Sequence, residues 1–165
     1  LCRAMGASEV RLARDAAERD RVWAARRAAL SALAQLKPTL VLEDATVPRS
    51  RIPAMVAAIQ AIAKRYALTI GTFGHAGDGN LHPTILTDKR DRAEWERVER
   101  AINDIFDAAL DMGGTLSGEH GTGLAKSRYL EKETSAGTIL FSSRIKRAMD
   151  PNNILNPGKI IAAKV

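Results

Sequence analysis

The feature that most constrains this chain is where its histidines and glycines lie. All three histidines and nine of the twelve glycines fall in two segments, Gly71-Thr72-Phe73-Gly74-His75-Ala76-Gly77-Asp78-Gly79-Asn80-Leu81-His82 and Gly113-Gly114-Thr115-Leu116-Ser117-Gly118-Glu119-His120-Gly121-Thr122-Gly123, which together occupy 23 of 165 positions. Glycine leaves the backbone bare, so a ligand can approach it closely. Imidazole titrates near neutrality and is the commonest metal ligand. Their coincidence in the same short stretches points to a built site and not to residues scattered over a surface.

What surrounds these segments reads as a scaffold. Ile52, Met55, Val56, Ile59, Ile62, Ala63 and Tyr66 repeat at three-to-four spacing and predict an amphipathic helix over 51–66, with Ser50 as N-cap and Pro53 tolerated in its first turn. Trp95, Val98, Ile102, Ile105, Phe106, Ala109 and Met112 predict another over 91–112, ended by Gly113-Gly114. Helices are also expected over 9–36, stopping ahead of Pro38, and over 134–149, stopping at Asp150-Pro151. Strands are expected at 40–47, 68–75, 81–87 and, briefly, 115–117. From residue 40 the order is β-α-β-β-α-β, so the expected fold is α+β, a ferredoxin-like antiparallel sheet with an additional helix at each end. No repeat or long linker divides residues 1–165, which read as one domain; the opening on Leu1 suggests a fragment of something longer.

Composition narrows the function. Lys and Arg number 25 against 19 Asp and Glu, a formal charge of +6, but the basic residues are interleaved with acids and read as solvated faces. With aromatics at 4% there is no base-stacking platform, so no nucleic-acid partner is expected. The single Cys2 excludes an intramolecular disulfide and a cysteine-rich zinc module, and fits a reducing, cytoplasmic compartment. The longest apolar stretch, 54–63, is broken by Gln60 and is too short to span a membrane. The basic surface is compatible with a peripheral position on an anionic inner membrane.

The chemistry concentrates in the two glycine-rich segments. Asp78-Gly79 signals a two-residue hairpin turn, which would set His75 directly opposite His82 with Cβ atoms about 4.5–5.5 Å apart. Pro83 would then spoil the ladder only on the outer side of its strand, and Asp78 is accounted for by turn chemistry. Two imidazoles so placed can reach one metal ion, or they can be hydrogen-bonded structural residues. Glu119 would complete a two-histidine, one-carboxylate set with positions left open for water or substrate. His120 beside it has the chemistry of a general base. Neither segment has the Gly-Lys-Ser/Thr ending of a phosphate loop or the spacing of a dinucleotide fold. In a regular ferredoxin-like sheet the end of the fourth strand lies at the edge far from the hairpin. Glu119 can therefore join the histidines only if 115–117 is not a regular strand.

Three motifs in order, His75-Ala76-Gly77-Asp78-Gly79-Asn80-Leu81-His82, Gly118-Glu119-His120-Gly121 and Asp150-Pro151-Asn152-Asn153-Ile154-Leu155-Asn156-Pro157-Gly158-Lys159, resemble the C-terminal domain of the FAD-linked oxidases. That family includes D-lactate dehydrogenase, the glycolate oxidase flavin subunit and D-2-hydroxyglutarate dehydrogenase. The resemblance implies a substrate-facing domain whose partner, an N-terminal FAD-binding domain absent from this chain, holds the FAD. It implies His75, His82 and Glu119 as ligands of a divalent metal, zinc in first place with manganese or iron as alternatives, and His120 as the base that takes the substrate hydroxyl proton while hydride passes to the flavin. Arg26 would bind the carboxylate of a small 2-hydroxy acid, and Asn156 and Lys159 would lie near the flavin. Thr84 and Leu42 stand where the hydroxyglutarate-type members have asparagine and lysine, which points to a monocarboxylate. A homodimer and an electron-acceptor or membrane partner stay open. Two other readings compete, a self-contained metallohydrolase on the same residues and a non-enzymatic ferredoxin-like binding module with structural histidines.

Overall fold

The helices expected from the three-to-four spacing form and supply most of the core. A computed structural model describes residues 1–160. In it α1 (Ala16–Leu33) is followed by β1 (Thr39–Leu42), β2 (Ala45–Thr46), α2 (Ile52–Tyr66), β3 (Thr69–His75), β4 (Asn80–Thr87), α3 (Arg92–Asp111), α4 (Leu130–Glu133) and α5 (Ala136–Met149). Met55, Ile59 and Ile62 of α2 and Val98, Ile102, Ile105 and Phe106 of α3 interlock with Leu81 and Ile85 of β4. Burying one such side chain is worth about 1.5–3 kcal/mol.

Local chemistry sets the helix ends. The carboxylates of Asp15 and Asp91 accept from the backbone N–H of Glu18 and Glu94, and Ser135 accepts from Thr138. The Asp15 cap starts α1 at Ala16, seven residues later than the apolar pattern alone suggests. Ser50 does not cap α2. It sits inside a 3-10 turn, Arg49–Arg51, and no side chain caps the helix, whose Pro53 removes one of the N–H donors a cap would serve.

The sheet is antiparallel with β4 at its centre. β3 pairs with one edge of β4, while β1 and β2 pair with the other. Those two are one strand in a single register, from Thr39 opposite Thr87 to Thr46 opposite Asn80, interrupted at Glu43 and Asp44. The interruption faces Pro83, which accepts a 3.0 Å bond from the Glu43 N–H but has no N–H to return. Beyond β2, the expected strand at 115–117 shrinks to one antiparallel bridge between Thr46 and Thr115. The strand order is thus that of a ferredoxin-like sheet with a vestigial fourth strand.

The hairpin turn differs from the expected one. The N–H groups of Asp78 and Gly79 both donate to the His75 carbonyl, at 2.9 and 3.0 Å, so four residues make the turn instead of two. His75 is therefore opposite Asn80, and His82 is opposite Phe73. The slip is two residues, and side chains alternate with period two, so His75 and His82 remain on one face as diagonal neighbours.

The C-terminal segment hangs on one carboxylate. Asp150, buried at the end of α5, pairs with Lys146 and accepts from the N–H groups of Ile154 (3.0 Å) and Leu155 (2.9 Å). The Lys146 ammonium, joined by those two N–H groups, holds the Asp150 carboxyl below the usual carboxylate range, although burial acts against this. Because the folded-state pKa is depressed, the latch is in place above the unfolded value and is lost as pH falls through the folded one. The Ile154 and Leu155 amide proton shifts are expected to stay constant from pH 7 down to about 4 and to move together below it. A transition of both amides above pH 5, or one retained in Asp150→Asn, would assign the latch to another group.

Candidate functional site

Three elements deliver the site residues to one end of the sheet. His75 closes β3, His82 lies on the central strand, and Glu119 and His120 arrive on the loop that follows the Thr46–Thr115 bridge. That loop turns back over the sheet end because Gly118 lies flat on Thr46 and Asn80; a Cβ there would stand 3.0 Å from Asn80 Cγ and overlap the Thr46 hydroxyl. This return brings the carboxylate to the histidines, which a full fourth strand would have prevented.

The Nε2 atoms of all three histidines converge on one oxygen. Glu119 Oε1 lies 3.1 Å from His82, 3.7 Å from His75 and 3.7 Å from His120. The ligand atoms of His75, His82 and Glu119 are all within 4.8 Å of one another. His82 packs edge-to-face on His75, with centroids 5.3 Å apart, and stacks on His120 at 5.0 Å. The His82 side chain is 9% exposed while those of His75 and Glu119 are each 49% exposed, so the site has one sunken donor and two that face outward. Burial pushes the His82 imidazole below its ordinary pKa, with neighbouring His120 and His75 adding to the shift and Glu119 and Asp44 opposing it. A neutral imidazole aimed through Nε2 at a carboxylate oxygen sets lone pair against lone pair unless a proton or a cation lies between them. The donor set, two nitrogens and an oxygen, fits a borderline divalent cation.

Beneath the loop is a carboxylate that the sequence pattern does not single out. Asp44, fully buried at the strand interruption, accepts through Oδ2 from Ser117 Oγ (3.1 Å), Glu119 N (2.9 Å) and His120 N (2.9 Å). Burial alone would raise its pKa, but those donors and the nearby Lys126 ammonium outweigh burial and hold it below the usual range. Lys126 Nζ, also buried, lies 3.8 Å from Asp44 Oδ2 and donates to the carbonyls of Leu116 (2.8 Å) and Asp44 (3.3 Å). The available signal was Glu43-Asp44, two acids in a stretch otherwise read as an apolar strand.

The remaining expected residues are placed less centrally. Arg26 of α1 lies over the ring of Phe73, 5.2 Å from its centroid, and Phe73 is the register partner of His82, so the guanidinium covers the same sheet face as the histidines. Asn156 and Lys159 are exposed, and among the described residues neither side chain makes a hydrogen bond. Their segment meets the second glycine-rich loop through the Ile160 N–H, which donates to Gly123 O at 2.8 Å. A cleft of about 380 Å³ opens beside Glu119, between Ser117, Thr122, Glu133 and Thr134. A larger hollow of about 780 Å³, walled by Tyr66, Arg100 and Arg128, touches none of the histidines. Among the described residues no helix is long and apolar enough to cross a membrane.

The protein is thus an antiparallel α+β domain that gathers three histidines and a carboxylate at one end of its sheet, beside an open cleft. Residues 1–160 match the family model described as FAD linked oxidases, C-terminal domain, and the chain belongs to that family. It is 53% identical over 162 residues to the glycolate oxidase subunit GlcD of Bacillus subtilis, covering 98% of this chain and 34% of that protein. The GlcD subunit of Escherichia coli K12 is 38% identical, with coverage of 94% and 31%. The mitochondrial D-lactate dehydrogenase [cytochrome] of Arabidopsis thaliana is 33% identical, with coverage of 96% and 28%. The chain therefore spans about a third of the length of the curated relatives it matches.

Proposed function

We propose that this chain is the substrate- and metal-binding domain of an FAD-dependent enzyme that oxidises a small D-2-hydroxy acid of the glycolate or lactate type to the 2-oxo acid. The observation that carries the reading is the convergence of three imidazole Nε2 atoms on Glu119 Oε1 at 3.1–3.7 Å. In this reading His75, His82 and Glu119 hold a divalent metal, with zinc first and manganese or iron as alternatives. The bound metal supplies Lewis-acid polarisation of the substrate oxygens, and the FAD of an N-terminal domain supplies the hydride acceptor. His120, one-third exposed beside the cleft, takes the hydroxyl proton. Arg26, held over the Phe73 ring, pairs with the substrate carboxylate, for which a planar guanidinium is suited. Asn156 and Lys159, tied to the Gly123 loop, face the flavin. Relatives named glycolate oxidase and D-lactate dehydrogenase match 98% and 96% of this chain and support a monocarboxylate, whereas one named D-2-hydroxyglutarate dehydrogenase matches 73%; family membership favours oxidation over hydrolysis. A cytoplasmic location accompanies this reading.

Elemental analysis tests the metal. After chelator treatment and re-addition of zinc, about one metal per chain is expected, and a His75→Ala, His82→Ala double variant is expected to retain none. His120→Ala is expected to keep the metal while 2-hydroxy-acid oxidation by the FAD-containing protein falls about 10²–10⁴-fold. Metal retained in the double variant, or activity untouched in His120→Ala, would overturn the assignment.

A further inference from the structure

The buried strand interruption carries a second layer of the site. Asp44 and His82 face each other in the register that joins β1 and β2 to β4, so both side chains lie on the site face of the sheet. Two buried polar atoms there have no hydrogen-bond partner among the described residues, Asp44 Oδ1 and His82 Nδ1. Orphaned buried atoms are rare, and a facing pair composed of one acceptor and one potential donor is complementary. The other oxygen, Oδ2, is already committed to Ser117, Glu119 and His120. Ser117 extends that hold, since its Oγ accepts from the Gly121 N–H at 2.7 Å.

We propose that Asp44 is the positioning residue of this centre, with Oδ2 fixing the backbone of Glu119 and His120 and Oδ1 taking the Nδ1 proton of His82 through one bridging water. Asp44 thereby sets the distance between the two sides of the site. His82 belongs to the central strand and Glu119 to a glycine-rich loop with no ladder of its own, and a single carboxylate joins the two. A proton held on Nδ1 leaves the His82 Nε2 lone pair pointing at the cluster, the orientation that a metal-bound histidine gets from an outer carboxylate. Lys126 compensates the buried charge from behind and ties down Leu116, just upstream of the same loop.

The test compares the protein with Asp44→Asn, which keeps the shape and removes the charge. Two readouts are taken, amide hydrogen exchange at Glu119 and His120 and the dissociation constant of Zn²⁺ by chelator competition. Exchange at these two amides is expected to quicken at least about tenfold while the α3 amides keep their protection, and the Zn²⁺ dissociation constant is expected to rise about 10–100-fold. Both quantities staying within twofold of the unsubstituted protein would overturn the inference. The affinity arm rests on the metal reading above, whereas the exchange arm does not. If the unsubstituted protein binds no Zn²⁺, the metal reading fails by itself and exchange alone decides the role of Asp44. Should Asp44→Asn fail to fold with Lys126 uncompensated, the Asp44→Asn, Lys126→Met double variant is read by the same criteria.

Discussion

Alanine at Gly79 is expected to destabilise the protein by at least about 3 kcal/mol in a urea titration, while alanine at Gly77, two residues earlier in the same turn, is expected to be neutral or stabilising by up to about 1 kcal/mol. The two glycines look alike in the sequence and differ in the fold. Gly79 has φ +80°, a left-handed conformation that costs a residue with a Cβ about 1 kcal/mol or more. Its added Cβ would also overlap the Val47 carbonyl, which is backbone and cannot rotate away. That contact is close because the Val47 N–H donates to Gly79 O at 3.0 Å, so the turn is pinned to the end of β2. A Cβ added to Gly77 would meet no atom within 4 Å, and the φ of Gly77 is not positive. The Gly79→Ala variant is expected to bind Zn²⁺ more weakly as well, since displacing the turn separates His75 from His82. Equal effects at both positions would show that the turn relaxes freely and does not hold the histidines.

Phe106→Ala is expected to cost about 3–5 kcal/mol, the range for emptying a large aromatic site that cannot collapse. Phe106 is fully buried in α3, stands edge-on to Tyr129 with centroids 4.9 Å apart, and lies under the Lys126 ammonium, 5.5 Å from its ring centroid. The ring thus supports the group that compensates Asp44. The variant is expected to loosen the Leu116–His120 loop in addition to lowering the denaturation midpoint, and amide exchange of that loop would show it. A loss below about 1.5 kcal/mol would mean that Tyr129 and the α2 side chains close over the cavity.

Elements whose local pattern and tertiary role agree are legible in the sequence. The helices containing Met55, Ile59 and Ile62 and containing Val98, Ile102 and Phe106 follow from spacing alone, as does the α+β strand order. The hairpin register differs by two residues from the expected one because Asp78-Gly79 fits a tight turn, while the pairing depends on β4 also serving β1 and β2 at its other edge. The alternation of β4 is hidden too. As central strand it is buried on both faces, Leu81 and Ile85 against the helices and His82 and Thr84 toward the site. Ser50 has the right chemistry for a cap and the wrong backbone, since a 3-10 turn precedes α2. His75, His82, Glu119 and His120 can be singled out because histidine is scarce here, but their meeting cannot be derived from sequence. It depends on a fourth strand that dwindles to the Thr46–Thr115 bridge. Asp44 is missed for a different reason: the acidic pair Glu43-Asp44 in an apolar stretch is a signal of burial but gives no role until its partners, 73 to 82 residues away, are seen.

The central strand has a further consequence for how such a domain can change over time. Along β4, Asn80, His82 and Thr84 alternate with Leu81, Pro83 and Ile85, so two messages are written in one sentence, offset by a single letter. Point substitutions can edit either message alone. A one-residue insertion or deletion would exchange them, sending imidazole into the helix-packed side and leucine onto the site face. Lineages descended from this strand should therefore keep the number of residues between His75 and Thr87 fixed. Length variation should be pushed out to loops such as the one between Gly121 and Lys126, where no such double reading exists.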